Sequence, residues 1–221
     1  MRALAFILLA ALPALASAAV PAALERGGNV YYRAADGSER QITRDGGYGA
    51  PTLSPDGRTL AFVREDEKPD PGGQGGLTSL WIADAATGAA RRLLAGRPHD
   101  DPKRDLARFR DPAFSLDGGF IYVEAEAWAT SGAIHQVEVA TGRERFVVDG
   151  WLYGVIRNGR YRGHLLVGQH KYHGAPDYGS YNPVSVFRPD GKKILTIPGS
   201  ELDDGAESLK RWLKSKGWTV S

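Results

Sequence analysis

The chain has 221 residues, with 28 basic against 26 acidic side chains and a formal net charge of +2. That balance, with no long block of like charge, argues against nucleic acid or an anionic membrane surface as a partner. There is no cysteine, which excludes disulfides, thiolate metal sites and a lipid anchored through a thiol, so stability has to come from packing.

The first element is a leader. Arg2 supplies a short positive region, residues 3–15 an apolar run broken by Pro13, and Ala16-Ser17-Ala18 the small-x-small pattern that signal peptidase reads. Residues 1–18 are expected to be a signal peptide, with Ala19 at the mature N-terminus. The apolar run falls short of the ~20 residues that a comfortable transmembrane helix needs. The expectation is a periplasmic or secreted chain with no membrane anchor after cleavage, residues 19–221 forming a single repeat domain.

Four segments then share one pattern of strand, tight turn and strand. They are NVYYRAADGSERQIT from Asn29, SLWIADAATGAARRLL from Ser79, AIHQVEVATGRERFVV from Ala133 and VSVFRPDGKKILTIP from Val184. Their turn glycines, Gly37, Gly88, Gly142 and Gly191, recur 51, 54 and 49 residues apart, the mark of stacked supersecondary units. A second kind of hairpin lies between them, as PTLSPDGRTLAFVRE from Pro51 and PAFSLDGGFIYVEAE from Pro112. A degenerate third copy, from Gly154, keeps Asn158-Gly159 as its turn signal. Residues 60–63, 120–123 and 165–167 are apolar on both faces, as strands packed between two neighbouring sheets should be. An ordinary β-sandwich is the alternative, but two hairpin types alternating at a fixed period favour a propeller.

The stretch APTLSPDGRTLAFVRE followed by SLWIADAATGAARRLL resembles the WD40-like (PD40) propeller repeats of periplasmic TolB-type proteins. The same repeats occur in the propeller domains of prolyl-oligopeptidase-like enzymes. The match is strong over residues 29–94, fair over 110–148 and weak beyond. The resemblance implies four-stranded antiparallel blades around a central axis; such repeats specify blades, not an activity.

Counted that way, the chain opens on an outer hairpin at 29–43. Full blades follow at 51–94 and 112–148, with a less regular one at 151–198. The expected fold is all-β, a small or partial β-propeller of about 3.5–4 four-stranded antiparallel blades, with a short C-terminal helix at about 204–216. Leu209, Trp212 and Leu213 would form the apolar stripe of that helix, and Gly217 would end it. The Pro/Gly insert at 66–76 is expected to be an exposed, mobile link between inner and outer hairpins, and the insert at 97–111, charged in both signs, a solvated loop with room for one helical turn. The orphan edge at 29–43 has three solutions: pairing with residues 218–220, meeting a second copy, or accepting a partner's strand. Closure within one chain, and so a monomer, is the expectation, because the helix stripe has to be buried somewhere. A homodimer is the alternative.

No G-x-S-x-G, P-loop or dinucleotide fingerprint occurs, and no cofactor is implied. One constellation stands out, GHLLVGQHKYHGAPDYGSYNP from Gly163, which holds three of the five histidines. His170, Tyr172, His173, Asp177, Tyr178 and Tyr181 are the candidate ligand-binding residues, with no catalytic residue and no metal assigned. The spacing matches no metal motif, and strand alternation sends His170 and Tyr172 to one face and Lys171 and His173 to the other. A plain polar, aromatic loop is the competing reading. The expected function is a non-catalytic module binding a protein or peptide in the cell envelope. A hydrolase or lyase using the same loop is the alternative.

Overall fold

The computed structural model describes residues 19–68, 76–176, 178–202 and 205–221. The expected signal peptide, Asp177 and most of the insert at 66–76 lie outside the described residues.

Strands β1 (Ala22–Arg26), β2 (Asn29–Arg33) and β3 (Glu39–Gln41) form the first antiparallel sheet. The second holds β4 (Tyr48–Leu53), β5 (Thr59–Glu67), β6 (Leu77–Asp84) and β7 (Ala90–Leu94). The third holds β8 (Phe109–Phe114), β9 (Phe120–Trp128), β10 (Ser131–Glu138) and β11 (Glu144–Asp149). In the fourth, β12 (Trp151–Val155) and β13 (Leu165–Gly168) are followed by a separate hairpin, β14 (Lys171–His173) and β15 (Gly179–Tyr181). The sheet then resumes with β16 (Val184–Phe187) and β17 (Lys193–Thr196), and helix α1 (Gly205–Lys216) follows. This is the all-β, partial propeller with a short C-terminal helix that the repeats predict.

Apolar clusters between successive sheets hold the arc together. Val30 and Tyr48 meet Phe62 between the first two sheets; Val63, Phe109 and Val123 fill the next gap; Tyr122, Val155 and Phe187 fill the third. Among the described residues no helix is long and apolar enough to cross a membrane.

Three expectations need correction. The first sheet has a third strand, β1, so the opening blade is more than a hairpin. Its sequence, AALER, is poor in the β-branched and aromatic residues that mark strands. What places it is Gly27-Gly28, both at positive φ, a two-residue turn that folds β1 back onto β2 from Ala22↔Arg33 to Arg26↔Asn29.

The C-terminal segment does not reach the first sheet. Val220 bridges to Ile156, the Arg157 amide donates to the Thr219 carbonyl at 2.8 Å, and the Ser221 amide donates to the Val155 carbonyl at 3.1 Å. Asn158 fastens the tail, donating to the Gly217 carbonyl at 3.0 Å and accepting from the Thr219 amide at 2.9 Å. Leu209, Trp212 and Leu213 of α1 lie on the apolar face of the fourth sheet, against Ile156, Leu166, Val184, Val186 and Ile197. A stripe of apolar side chains gains by covering an apolar face, whereas a strand edge offers only backbone hydrogen-bonding groups. Among the described residues no hydrophobic cluster joins the first sheet to the fourth, so the arc stays open.

The insert at 97–111 is not simply solvated. Leu106 is fully buried in the core between the second and third sheets, and Arg97 and Leu106 exchange backbone hydrogen bonds at 3.2 and 3.0 Å. Residues 109–111 already belong to β8.

The recurring inner turn is built by a serine as much as by its Asp-Gly. Ser54 Oγ donates to Asp56 at 2.6 Å and accepts from the Thr59 amide at 2.9 Å; Ser115 does the same with Asp117 and the Phe120 amide. The serine bond, and then the amide of Arg58 or Gly119, hold both carboxyls below their ordinary value of 3.8. A carboxyl whose pKa is lower folded than unfolded stabilises fully above its ordinary value and ceases to as pH falls through the lowered one. Urea midpoints should therefore fall on acidification below 3.8, and the D56N/D117N double variant should show a shallower decline. Superimposable acid limbs would exclude these turns as the titrating groups.

Candidate functional site

In an antiparallel sheet laid down in chain order, the links from second to third strand and from one sheet to the next emerge on the same face of the arc. The β14–β15 hairpin is such a link, and so it emerges on the same face of the arc as the insert at 97–108. Its base is tied to the third sheet: Gln169 Nε2 donates to the Asp149 carbonyl at 3.2 Å, and Lys171 Nζ lies 3.5 Å from the Asp149 carboxylate.

Within the hairpin, Lys171 pairs with Tyr181, Tyr172 with Ser180 and His173 with Gly179. His170 packs edge-on against Tyr172 with ring centroids 4.8 Å apart, and its Nδ1 lies 2.8 Å from Asn182 Oδ1. On the other face His173 stacks on Tyr181, centroids 4.5 Å apart and rings inclined by 24°. Tyr172 and Tyr178 project outward, 69% and 86% exposed. The structure thus brings together five of the six candidate residues, in two groups back to back; Asp177 is outside the described residues. His164 is not part of the group; it sits beside Tyr161, ring centroids 5.7 Å apart. Among the described residues no cluster of three or more His, Asp or Glu side chains is placed to hold a metal ion.

A second feature lies on the axis. The innermost strands β4, β8 and β12 all carry a register break: between Gly49 and Thr52, between Arg110 and Ala113, and between Leu152 and Gly154. In the first two the break holds a proline, Pro51 or Pro112, which has no N–H to give to a ladder and so belongs at a bulge. The residues before them, Ala50 at φ 50° and Asp111 at φ 46°, are the only non-glycine residues with positive φ among those described. Such a backbone costs on the order of 1–3 kcal/mol and persists only where its surroundings impose it.

Buried or bridging carboxylates supply part of that restraint. Glu25 accepts from the Ala50 amide at 3.3 Å, and Glu124 accepts from the Leu152 amide at 3.2 Å in the gap between the third and fourth sheets. Glu124, only 6% exposed, also holds Arg110 at 3.1 Å. Burial pushes its pKa up, while Arg110 and the Leu152 amide pull it back. Two clefts of about 260 and 250 Å³ open on these bulges, both lined by Ala50 and Asp111. The first adds Glu65, Glu67 and Arg108, the second Tyr153 and Ser221. Nothing in either strand alone marks them; the one sequence signal is that Pro51 and Pro112 stand at the same distance before Ser54 and Ser115.

No protein-family model and no curated protein matches the chain. Among solved structures it is similar to dipeptidyl peptidase 4 of Porphyromonas gingivalis, with a TM-score of 0.57 and 14% identity over 80% of this chain and 31% of that one. Weaker likenesses are to the β-propeller domain of the Trilobed protease from Pyrococcus furiosus, described as having an open velcro topology (TM-score 0.49, 14% identity, 75% of this chain and 48% of that), and to TolB from Acinetobacter baumannii (TM-score 0.33, 16% identity, 75% and 47%). The chain spans less than half the length of each of these three. What it shares with the first is the fold, that of a β-propeller.

Proposed function

We propose that this chain is an exported binding module that holds a protein or peptide partner in the cell envelope, with the β14–β15 hairpin as its principal contact. The observation that carries the reading is the pair of outward tyrosines, Tyr172 and Tyr178, on a hairpin stiffened by the His173–Tyr181 stack and the His170–Asn182 bond. Tyrosine offers a large contact area with few rotors to freeze, which is why it recurs at the centre of interfaces. The leader at 1–18 supports export. Binding is favoured over hydrolase or lyase chemistry because His170 and His173 occupy opposite faces of the hairpin and do not converge on one substrate atom. The first axial cleft, with charges of both signs at Glu65, Glu67, Arg108 and Asp111, suits the mixed polarity of a peptide.

The test replaces surface groups only. A Tyr172→Ser/Tyr178→Ser variant should melt like the parent yet recover about tenfold less partner from a periplasmic fraction under mild crosslinking, equivalent to ~1.4 kcal/mol. Undiminished recovery would take the hairpin out of the interface.

A further inference from the structure

Away from the hairpin and the axis, a cleft of about 420 Å³ lies between α1 and the fourth sheet. Trp212, Trp218, Tyr161 and Leu195 line it, together with Arg160 and Lys216. The two indoles meet edge to face at 5.0 Å and 88°, and Tyr161 meets Trp218 in the same way at 5.5 Å and 87°. Trp218 rests directly on Gly159, where a Cβ would stand 2.1 Å from its Nε1. All three rings are half-buried, one part of each joined to the core and the rest left to the cleft.

Docking a helix on a sheet accounts for the aromatic floor but not for the charges. Among the described residues Arg160 has only the face of Tyr161, 5.4 Å away, and Lys216 has no carboxylate partner. No Asp or Glu among the described residues lines the cleft. Two unpaired cations over a wall of mutually perpendicular rings select an anion with an apolar body. A guanidinium takes a carboxylate by a bidentate fork, and aromatic walls hold a ring edge-on or offset. We propose that this cleft binds a carboxylate carrying an apolar ring, a chemistry shared by small aromatic acids and by peptides ending in an aromatic residue. It involves none of the hairpin residues and stands or falls independently of them.

The test is quenching of indole fluorescence in the mature protein by four probes: 3-phenylpropionate, its neutral analogue 3-phenylpropanol, acetyl-Gly-Phe, and acetyl-Gly-Phe amide. At least one of the two acids should quench saturably, at least tenfold more tightly than its neutral counterpart, with added salt weakening it. Arg160→Gln/Lys216→Gln, two exposed positions, should remove that advantage, whereas Lys192→Gln/Lys193→Gln should retain it. Binding of 3-phenylpropionate alone assigns a free aromatic acid; binding of the peptide assigns a chain terminus. The proposal is overturned if neither acid quenches saturably at millimolar concentration, if the neutral analogues bind as well, or if the Arg160/Lys216 variant binds the acids like the parent.

Discussion

Gly191→Ala should destabilise the protein by about 3 kcal/mol or more, while Gly57→Ala should cost only about 1 kcal/mol. Both glycines sit in turns at positive φ, +88° and +74°, so the conformational penalty is common to both. The difference is the neighbour. A Cβ on Gly191 would stand 2.3 Å from the Val147 carbonyl oxygen, and one on Gly142 would stand 2.6 Å from that of Leu93, whereas Gly57 has nothing within 4 Å. The outer turn of one blade presses on the last strand of the blade before it, and backbone cannot move aside as a side chain can. Gly37, the equivalent turn in the first sheet, has nothing within 4 Å, because no described sheet precedes it. Urea midpoints for Gly37→Ala, Gly57→Ala, Gly142→Ala and Gly191→Ala should therefore fall into two pairs. Four equal losses would mean that these turns carry backbone strain and no contact between blades.

Removing residues 205–221 is expected to have the larger effect still. Ile156, Leu166, Val184, Val186 and Ile197 are all completely buried beneath α1 and the tail. At ~1.5–3 kcal/mol for each such side chain, uncovering even part of this face approaches the 5–15 kcal/mol that holds a typical domain together. The truncated chain should bind a hydrophobic dye, aggregate, and lose the cooperative melting of its fourth blade. Leu209→Asp, which leaves the chain whole, should give a milder version, a loss of about 3 kcal/mol. A truncated protein that stays monomeric and melts unchanged would show that α1 is not a cover.

The elements legible in the sequence are those whose cause is local. Gly37, Gly88, Gly142 and Gly191, with the turns around Asp56 and Asp117, fix the blades because each turn is set by a few adjacent residues. Strand β1 was not legible, since Ala22 and Ala23 carry little strand preference and are held there by β2. The destination of α1 is not legible either, for a related reason. Its stripe at Leu209, Trp212 and Leu213 is plain, but which surface it covers depends on Ile156 and Val184, far away in the chain. In the hairpin, alternation separates His170 from His173 correctly, whereas the exposure of Tyr172 and Tyr178 could only come from three dimensions. The strained pair, Ala50 and Asp111, is a tertiary effect: each is the residue before a proline forced into a bulge.

The bridge from Val220 to Ile156 bears on how the chain acquires its structure. In a ring closed by strand exchange, one sheet is shared by both ends, and that blade is not complete until the last residues arrive. Here the tail returns to its own sheet, and each sheet buries apolar surface against its neighbours in the chain. No contact between the first and the last sheet has to form before earlier blades are rewarded. Blades can be added in sequence as the polypeptide emerges, each templated by the previous one, in the manner of a linear repeat array with nearest-neighbour coupling. Stability then becomes a running total along the chain, and the gain or loss of a blade in evolution leaves the geometry of the others undisturbed.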